Sequence, residues 1–150
     1  MAQENVTDES IAELVERTAE ATKAYMRGEM DTYFRLIRHD EDFLLMSPFG
    51  GEPQRGIDTS PESLEGRRRY FQNGDAELDV LQTYASGDMV VVAAIERQHG
   101  EVGGLADQDW SLRVTLVFRR DGANWQLVHR HADPLVNEIT IEQAFSVARG

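Results

Sequence analysis

The sequence predicts an α+β fold in which helices cover one face of a curved antiparallel sheet and leave a single pocket. Three observations support this. Helical patterns precede most of the strand patterns along the chain. Residues 112–134 indicate two long strands joined by a turn at Asp121-Gly122-Ala123. Long strands that contain glycine bend easily, so we expect a cone with an open mouth.

Two helices are predicted at the start of the chain. Ser10 and Glu13 match a capping box, and an apolar stripe at helical spacing follows them as far as Gly28. Asp31 is expected to cap a second, shorter helix. These two helices are expected to pack on the sheet.

A strand and a third helix are predicted next. The apolar run 42–47 stops at a proline and indicates a buried first strand, whereas the glycine and proline of 49–56 indicate a loop. Ser60-Pro61 is a strong helix start. The third helix is expected to run to about Gln72 and to end at Asn73-Gly74.

The second half of the chain is predicted to be mostly sheet. Two strands are expected within 77–102, and the second of them is apolar on both faces over 89–95, which favours a central position. A linker over 103–108 leads into the final hairpin. Residues 140–145 are expected to form a short C-terminal helix.

Composition narrows the class of protein. We expect one domain over 1–150, with a core of about 10–136 and an extension at 137–150. The net charge of −12 makes nucleic-acid binding and binding to anionic membranes unfavourable. The chain has no cysteine and no apolar run long enough to span a membrane, and we expect a cytoplasmic protein.

The turn decides which side chains of the hairpin share a face. A three-residue bulged loop would place Thr115 beside His129 and Arg113 beside His131, all on one side of the sheet. A four-residue loop would shift the pairing by one and separate them. With the first register, these four side chains are expected to line the pocket.

Each candidate has an ordinary alternative. Arg113 is interpreted either as a clamp for an anion or as the partner of Glu96 or Asp133 in an ion pair. His131 is either an acid/base catalyst or a histidine that fixes strand register. Glu96 is either a carboxylate base in the pocket or a solvated strand end.

Further candidates are weaker. Trp110 is expected near the cone mouth as a ligand contact or as core, and Arg67-Arg68-Arg69 as intramolecular ion pairs or a phosphate site. Alternation on one strand could bring His129, His131 and Asp133 to a metal. We nevertheless expect no metal and no cofactor.

The hairpin motifs also resemble a known family. Arg113-Val114-Thr115, Arg119-Arg120-Asp121-Gly122, Trp125 and Val128-His129-Arg130-His131 are similar to the NTF2-like superfamily, specifically its SnoaL-like domains, which are ketosteroid isomerase homologues. The hairpin also resembles the association domain of calmodulin-dependent kinase. The resemblance covers most of 10–136 and implies a cone-shaped fold, a homodimer packed through the sheet, and one small-molecule pocket per subunit.

Steroid isomerisation itself is not expected. The turn that resembles the family's base-bearing turn is Ser47-Pro48-Phe49-Gly50, so a serine replaces the carboxylate and Ser47 is interpreted as a ligand contact. The strand expected to supply a second acid contains Arg113 and Thr115 instead. Tyr25 or Tyr33 could still occupy the position of the family's tyrosine.

Two hypotheses therefore remain. The first is an isomerase-like or lyase-like enzyme, in which His131 or Glu96 moves a proton on a small polar or carbonyl substrate held by Arg113. The second is a domain that binds a ligand and dimerises without turnover. Fold class alone does not decide between them.

Overall fold

A computed structural model describes residues 6–148 as an α+β fold, which confirms the predicted class. The elements, in chain order, are α1 (Asp8–Met26), α2 (Met30–Leu36), β1 (Arg38–Met46), β2 (Gln54–Arg55), α3 (Pro61–Tyr70), β3 (Phe71–Ser86), β4 (Met89–Val102), β5 (Gln108–Asp109), β6 (Leu112–Asp121), β7 (Asn124–Pro134) and α4 (Ile141–Val147). Two of them, β2 and β5, lie in segments predicted to be loops.

The sheet is curved and not closed into a barrel, and its strands follow the order β2-β1-β7-β6-β4-β3. Strand β4 lies between β6 and β3, as its apolar residues on both faces predict. The predicted antiparallel pairing is confirmed except between β1 and β7, which pair in parallel. Parallel neighbours must be distant in sequence, and here most of the chain separates them.

Helix α1 begins three residues earlier than the capping-box pattern indicates. The side chain of Thr7, rather than that of Ser10, caps the helix, and its hydroxyl accepts a hydrogen bond from the backbone N–H of Ser10 at 3.1 Å. Helix α2 likewise begins at Met30, after Glu29, which makes no side-chain capping bond. The stripe of α1 that faces the sheet is nonetheless the predicted one.

The predicted end of the third helix is wrong. Helix α3 starts after Ser60 as expected but stops at Tyr70, and Asn73 and Gly74 belong to β3. A Cβ on Gly74 would lie 2.2 Å from the carbonyl oxygen of His99, so only glycine allows this approach between β3 and β4. The Asn-Gly pair therefore marks an irregular strand and not a helix stop.

The final hairpin has a tighter turn than predicted. Asp121 pairs with Asn124, and the register then shifts by one residue between Val117 and Phe118. As a result Thr115 pairs with His131, and Arg113 with Asp133. The tight turn and the bulge together move the register by two residues, so the predicted four side chains still share one face.

The main core lies between α1 and the inner face of the sheet. Phe118 is 1% exposed and Leu14 2% exposed, and both belong to one buried cluster together with Val90, Val92 and Leu116. Burying side chains of this size is worth on the order of 1.5–3 kcal/mol each. Leu116 and Phe118 of this cluster also border the hollow that the helices and the sheet enclose.

Helix α4 follows β7 after a short linker. A capping box begins it: the Thr140 hydroxyl accepts a hydrogen bond from the Gln143 N–H, and the Gln143 side chain accepts one from the Thr140 N–H. Every residue of α4 is exposed. Between residues 6 and 148, no helix has the length and apolar character needed to cross a membrane.

Candidate functional site

A cavity of about 980 Å³ occupies the hollow between the inner face of the sheet and helices α1, α2 and α3. This volume is in the range of sites that hold drug-sized ligands. Most of its wall is apolar, and the contributing side chains include Ala21, Ile37, Phe43, Leu45, Ile57, Phe71, Leu112, Leu116, Phe118 and Leu127. Specificity in such a cavity depends on its few polar groups.

A buried ion pair crosses the inner face of the sheet. Arg130 on β7 donates two hydrogen bonds to Glu96 on β4, at 2.8 and 2.7 Å, and its side chain reaches over β6 to do so. The side chain of Glu96 is only 3% exposed. Burial acts to lower the pKa of Arg130, but the attraction of the Glu96 carboxylate outweighs it and raises that pKa.

Glu96 therefore lies at the cavity wall and not at a solvated strand end. Both of its oxygens accept bonds from Arg130, which stabilises the charged carboxylate. Because both oxygens already bind Arg130, neither faces a substrate without a competing partner. Its geometry fits a fixed charge that compensates Arg130 better than it fits a catalytic base.

Two tyrosines form the polar part of the helical wall. The rings of Tyr25 and Tyr33 meet edge to face with centroids 4.9 Å apart, and both residues line the cavity. Burial raises the pKa of Tyr25, although the charges of Arg67 and Arg130 oppose it. Burial also raises the pKa of Tyr33. Both hydroxyls thus stay protonated at neutral pH and can donate hydrogen bonds to a ligand oxygen.

His39 lies next to this pair. Its Nε2 is 3.4 Å from the Tyr33 hydroxyl, and its ring packs edge-on against Phe43. Burial lowers the pKa of His39 to about 4, and the charges of Arg67 and Arg130 add to that effect. The imidazole is therefore neutral throughout the physiological pH range and can accept a proton.

Arg67 brings a cation to the same cavity from α3. It donates to the carbonyl oxygen of Asp58 at 2.8 Å and lies over the ring of Phe34. Among residues 6–148 no carboxylate lies within 4 Å of its guanidinium, whereas Arg68 and Arg69 both pair with Glu65. The predicted intramolecular pairing thus holds for two of the three arginines.

Ser47 and Trp110 lie elsewhere on the cavity wall. The Ser47 hydroxyl accepts a hydrogen bond from the Phe49 N–H at 3.1 Å, which stabilises the turn after β1. The Trp110 indole N–H donates to the carbonyl oxygen of Gly100 at 3.2 Å. With its polar edge satisfied, Trp110 offers the cavity an apolar ring.

The prediction that Arg113, Thr115, His129 and His131 line the pocket is wrong. On β6 the even-numbered residues Val114 and Leu116 are buried in the core, so Arg113 and Thr115 point to the outer face of the sheet. His131 pairs with Thr115 and lies on the same outer face.

The ion pair predicted as the alternative for Arg113 is present, whereas the register-fixing contact predicted as the alternative for His131 is made by His129 instead. Arg113 makes a bidentate pair with Asp133, at 2.8 and 3.0 Å. His129 Nδ1 lies 2.8 Å from the carbonyl oxygen of Leu44 on the neighbouring strand β1, which is a contact that fixes register. Throughout the described part of the chain, no three His, Cys, Asp or Glu side chains are grouped so that they could hold a metal ion.

His39 and Arg130 were not predicted as site residues, and Arg67 was predicted only as part of an intramolecular ion-pair group or a phosphate site. The first strand was predicted to start at Asp42, which hid His39. The bulge in the final hairpin decides that Arg130 points inward. For Arg67, helical spacing offered a signal, since it follows Ser63 by four residues and both line the cavity.

The SnoaL-like domain family matches residues 14–136, a range that includes every cavity residue discussed above. The chain belongs to this family. A search of curated proteins finds no match. The match confirms the predicted resemblance to NTF2-like and SnoaL-like domains.

Several solved structures are similar in fold to this SnoaL-like protein. A candidate dehydratase of the NTF2-like family from Streptomyces avermitilis is 22% identical with a TM-score of 0.63, over 86% of this chain and 96% of that one. An NTF2-like superfamily protein from Salmonella enterica is 16% identical with a TM-score of 0.68, over 89% of this chain and 94% of that one. The CaMKII hub of S. rosetta is 21% identical with a TM-score of 0.64, over 81% and 94%. At these identities the likeness is one of fold.

Proposed function

We propose that this SnoaL-like domain binds a small, largely apolar molecule in its cavity and holds a carbonyl or carboxylate oxygen of that molecule at Tyr25, Tyr33 and Arg67. The observation that carries the proposal is the distribution of charge in the cavity. Arg130 is already paired with Glu96, whereas no carboxylate of the described residues lies within 4 Å of the Arg67 guanidinium. The tyrosine hydroxyls supply further donors beside it.

The chemistry of the wall sets the ligand class. Donors and a cation at one place favour an anionic or strongly polarised oxygen, because charge-assisted hydrogen bonds are stronger than neutral ones. The surrounding wall of Phe43, Leu45, Phe71 and Trp110 favours an aromatic or aliphatic body. A planar aromatic carboxylate has both features.

Titration with 2-naphthoate and with 2-naphthamide tests this proposal. The wild-type protein is expected to bind the carboxylate more tightly than the amide. The substitution Arg67→Gln is expected to weaken 2-naphthoate about tenfold, equivalent to about 1.4 kcal/mol, and to leave 2-naphthamide unchanged. Arg69→Gln is the matched control on the same helix. Equal losses for both probes in Arg67→Gln, or equal losses in both variants, would contradict the proposal.

A second candidate function is acid/base catalysis of the lyase or isomerase type at the same place. The contact between His39 and Tyr33 favours it, and so does the fold shared with a candidate dehydratase. In a dehydration, neutral His39 takes the proton from the carbon next to the substrate carbonyl, and the enolate oxygen accepts a hydrogen bond from Tyr25. The imidazolium then returns the proton to the departing hydroxyl, so that water leaves.

Proton abstraction can be measured without the natural substrate. With 2-tetralone in D2O, the wild-type protein is expected to accelerate exchange of the α-protons, as followed by NMR. His39→Gln should abolish the acceleration, and Tyr33→Phe should reduce it, because Tyr33 positions the ring. If the wild-type protein exchanges the α-protons no faster than buffer alone does, the domain binds ligands without catalysing proton transfer.

We also propose that the domain forms a homodimer through the outer face of its sheet. Tyr84 is 59% exposed and pairs with Val91 on β4, which in turn pairs with Val117 on β6, so an apolar row crosses three strands. Beside this row a groove of about 280 Å³ contains Leu81 and Thr115. The CaMKII hub and association domains have the same fold, which favours a second copy as the occupant.

Analytical ultracentrifugation tests the dimer. The wild-type protein is expected to sediment as a dimer and Tyr84→Arg as a folded monomer, because a charge would be placed in an apolar contact. Phe49→Arg, which replaces an aromatic side chain that is 66% exposed on the cavity side, is expected to stay dimeric. A monomeric wild type, or an unaffected Tyr84→Arg, would contradict this interface.

A further inference from the structure

Helix α4 carries an apolar stripe that is not buried. Ile141, Ala144 and Phe145 follow one another at helical spacing, while the glutamate, the glutamine and the serine of the helix form the polar side. Ile141 is 80% exposed and Phe145 is 79% exposed. Single exposed apolar residues are common, but a complete stripe on a capped helix indicates a surface that docks elsewhere.

The helix is also too short to be stable on its own. Isolated helices below about 12–15 residues are marginal in water, because nucleation is costly and few backbone hydrogen bonds follow it. Helix α4 has 7 residues, and its capping box adds only on the order of 1 kcal/mol. A helix of this length needs tertiary contacts to persist, so its apolar stripe requires a partner surface.

An exposed apolar surface lies at the mouth of the cavity, where the linker to α4 begins. We define the mouth by Phe49, Tyr70, Leu135 and Val136, which all line the cavity and are all exposed. Leu135 and Val136 are the first residues of the linker to α4, so the chain leaves the sheet at the mouth itself. The linker of residues 135–140 can span roughly 20 Å, which is longer than α4.

Charge also favours this docking site. Arg67 is a cavity-wall cation with no carboxylate partner within 4 Å among the residues that the structure describes. The segment that would close over it carries Glu138 and Glu142 and has no basic residue over the described span 135–147. A docked α4 would therefore bring apolar side chains to Phe49 and Tyr70, and negative charge toward Arg67.

We propose that α4 is a lid that closes over the mouth of the cavity of its own chain, with Ile141 and Phe145 packed against Phe49 and Tyr70. The structure shows the open position. Closure would exclude water from the cavity and slow the exchange of a bound ligand. The proposal uses the cavity of the proposed function, but its main test does not require that any ligand bind.

Disulfide trapping is that main test, and it is clean because the natural chain has no cysteine. Under mild oxidation, the double substitution Phe49→Cys with Phe145→Cys is expected to form a disulfide within one chain. The control pairs Phe145→Cys with Ser86→Cys, which is exposed at the β3–β4 turn and has the same freedom to react. That control should remain reduced over the same time.

Two results would overturn the lid. If the Phe49/Phe145 pair forms its disulfide no faster than the Ser86/Phe145 control, α4 does not visit the mouth. If the disulfide joins two chains, as a covalent dimer on a non-reducing gel, α4 docks on a second copy instead. Either conclusion holds whether or not 2-naphthoate binds, so failure of the lid is distinct from failure of the proposed ligand class.

Ligand kinetics give a second measurement. Replacing the stripe with Ile141→Ser and Phe145→Ser is expected to raise both the association and the dissociation rate of 2-naphthoate several-fold, with the melting temperature unchanged. Val147→Ser is the matched control, because Val147 is 73% exposed but lies outside the stripe. Rates that do not change in the stripe variant would contradict a gating role for α4.

Discussion

The two faces of the sheet carry the same chemical motif in different surroundings. On the inner face Arg130 holds Glu96 with two hydrogen bonds, and on the outer face Arg113 holds Asp133 with two. The side chains of the inner pair are 22% and 3% exposed, whereas those of the outer pair are 63% and 44% exposed. The distances are similar, so burial is the difference between them.

Burial changes what each pair contributes. An exposed pair is screened by water and contributes about 0–1 kcal/mol. A buried pair has already lost its hydration, so each partner depends on the other for compensation. The comparison shows that the inner pair shapes the field of the cavity, while Arg113 is available for contacts made by the outer face.

The largest expected effect comes from breaking the inner pair. Glu96→Gln is expected to lower the free energy of unfolding by about 3–5 kcal/mol, because it leaves the Arg130 charge buried and unpaired. Urea denaturation followed by circular dichroism measures this. Replacing both partners, Glu96→Leu with Arg130→Met, is expected to recover most of the loss. A loss below about 1 kcal/mol for Glu96→Gln would show that the inner pair contributes no more to stability than an exposed ion pair does.

A smaller effect is expected from the pH dependence of the buried histidine. The folded-state pKa of His39 is about 4, below the usual value of 6.5, so the unfolded chain binds the extra proton first. The stability linked to neutral His39 is complete above pH 6.5 and is lost as the pH falls toward 4. Between pH 6.5 and 4, the free energy of unfolding of the wild type should therefore fall by up to about 3 kcal/mol more than that of His39→Gln.

The exposed histidine of the β4–β5 region supplies the matched control. A hydrogen bond from His99 to Asp107 raises the pKa of His99. The contribution of protonated His99 to the free energy of unfolding is therefore present below pH 6.5 and is lost as the pH rises. This pH dependence is opposite in sign to that of His39. Unfolding free energies of wild type, His39→Gln and His99→Gln, measured between pH 4 and 8, would reveal the two trends. Parallel curves for wild type and His39→Gln would contradict the burial of His39.

The smallest effect is expected for the outer pair. Asp133→Asn should change the free energy of unfolding of the monomer far less than Glu96→Gln does, because water solvates the Arg113 that remains. It should also leave the affinity for 2-naphthoate unchanged. Urea denaturation in the Tyr84→Arg background separates monomer stability from association. A loss comparable to that of Glu96→Gln would remove the distinction between the two faces.

The elements that could be predicted are those with strong local signals. Ser60-Pro61 marks the start of α3, and the apolar run of β4 correctly predicts its central position. The capping box predicted at Ser10 fails because Thr7 offers an equivalent hydroxyl one turn earlier. Similar side chains compete for such a position, and tertiary packing decides among them.

The candidate site was harder to predict, because it depends on register. The two-residue turn at Gly122-Ala123 and the bulge beside Val117 each shift the strand register by one residue, so together they leave the same side chains on the same face. The sequence therefore correctly predicted that Arg113 and His131 share a face, but it did not predict which face that is. That choice follows from the burial of Val114 and Leu116 in the main core cluster, to which α1 also contributes. A tertiary contact between distant segments thus decides which face of β6 lines the cavity.

The central claim is that the site is the inner cavity at Tyr25 and Arg67 and not the outer face at Arg113 and His131. A crystal structure of the protein with 2-naphthoate tests it most directly. We expect the naphthyl ring inside the cone and its carboxylate within hydrogen-bonding distance of the Arg67 guanidinium and the Tyr25 hydroxyl. A naphthoate found only on the outer face beside Arg113, with the cone empty, would contradict the claim.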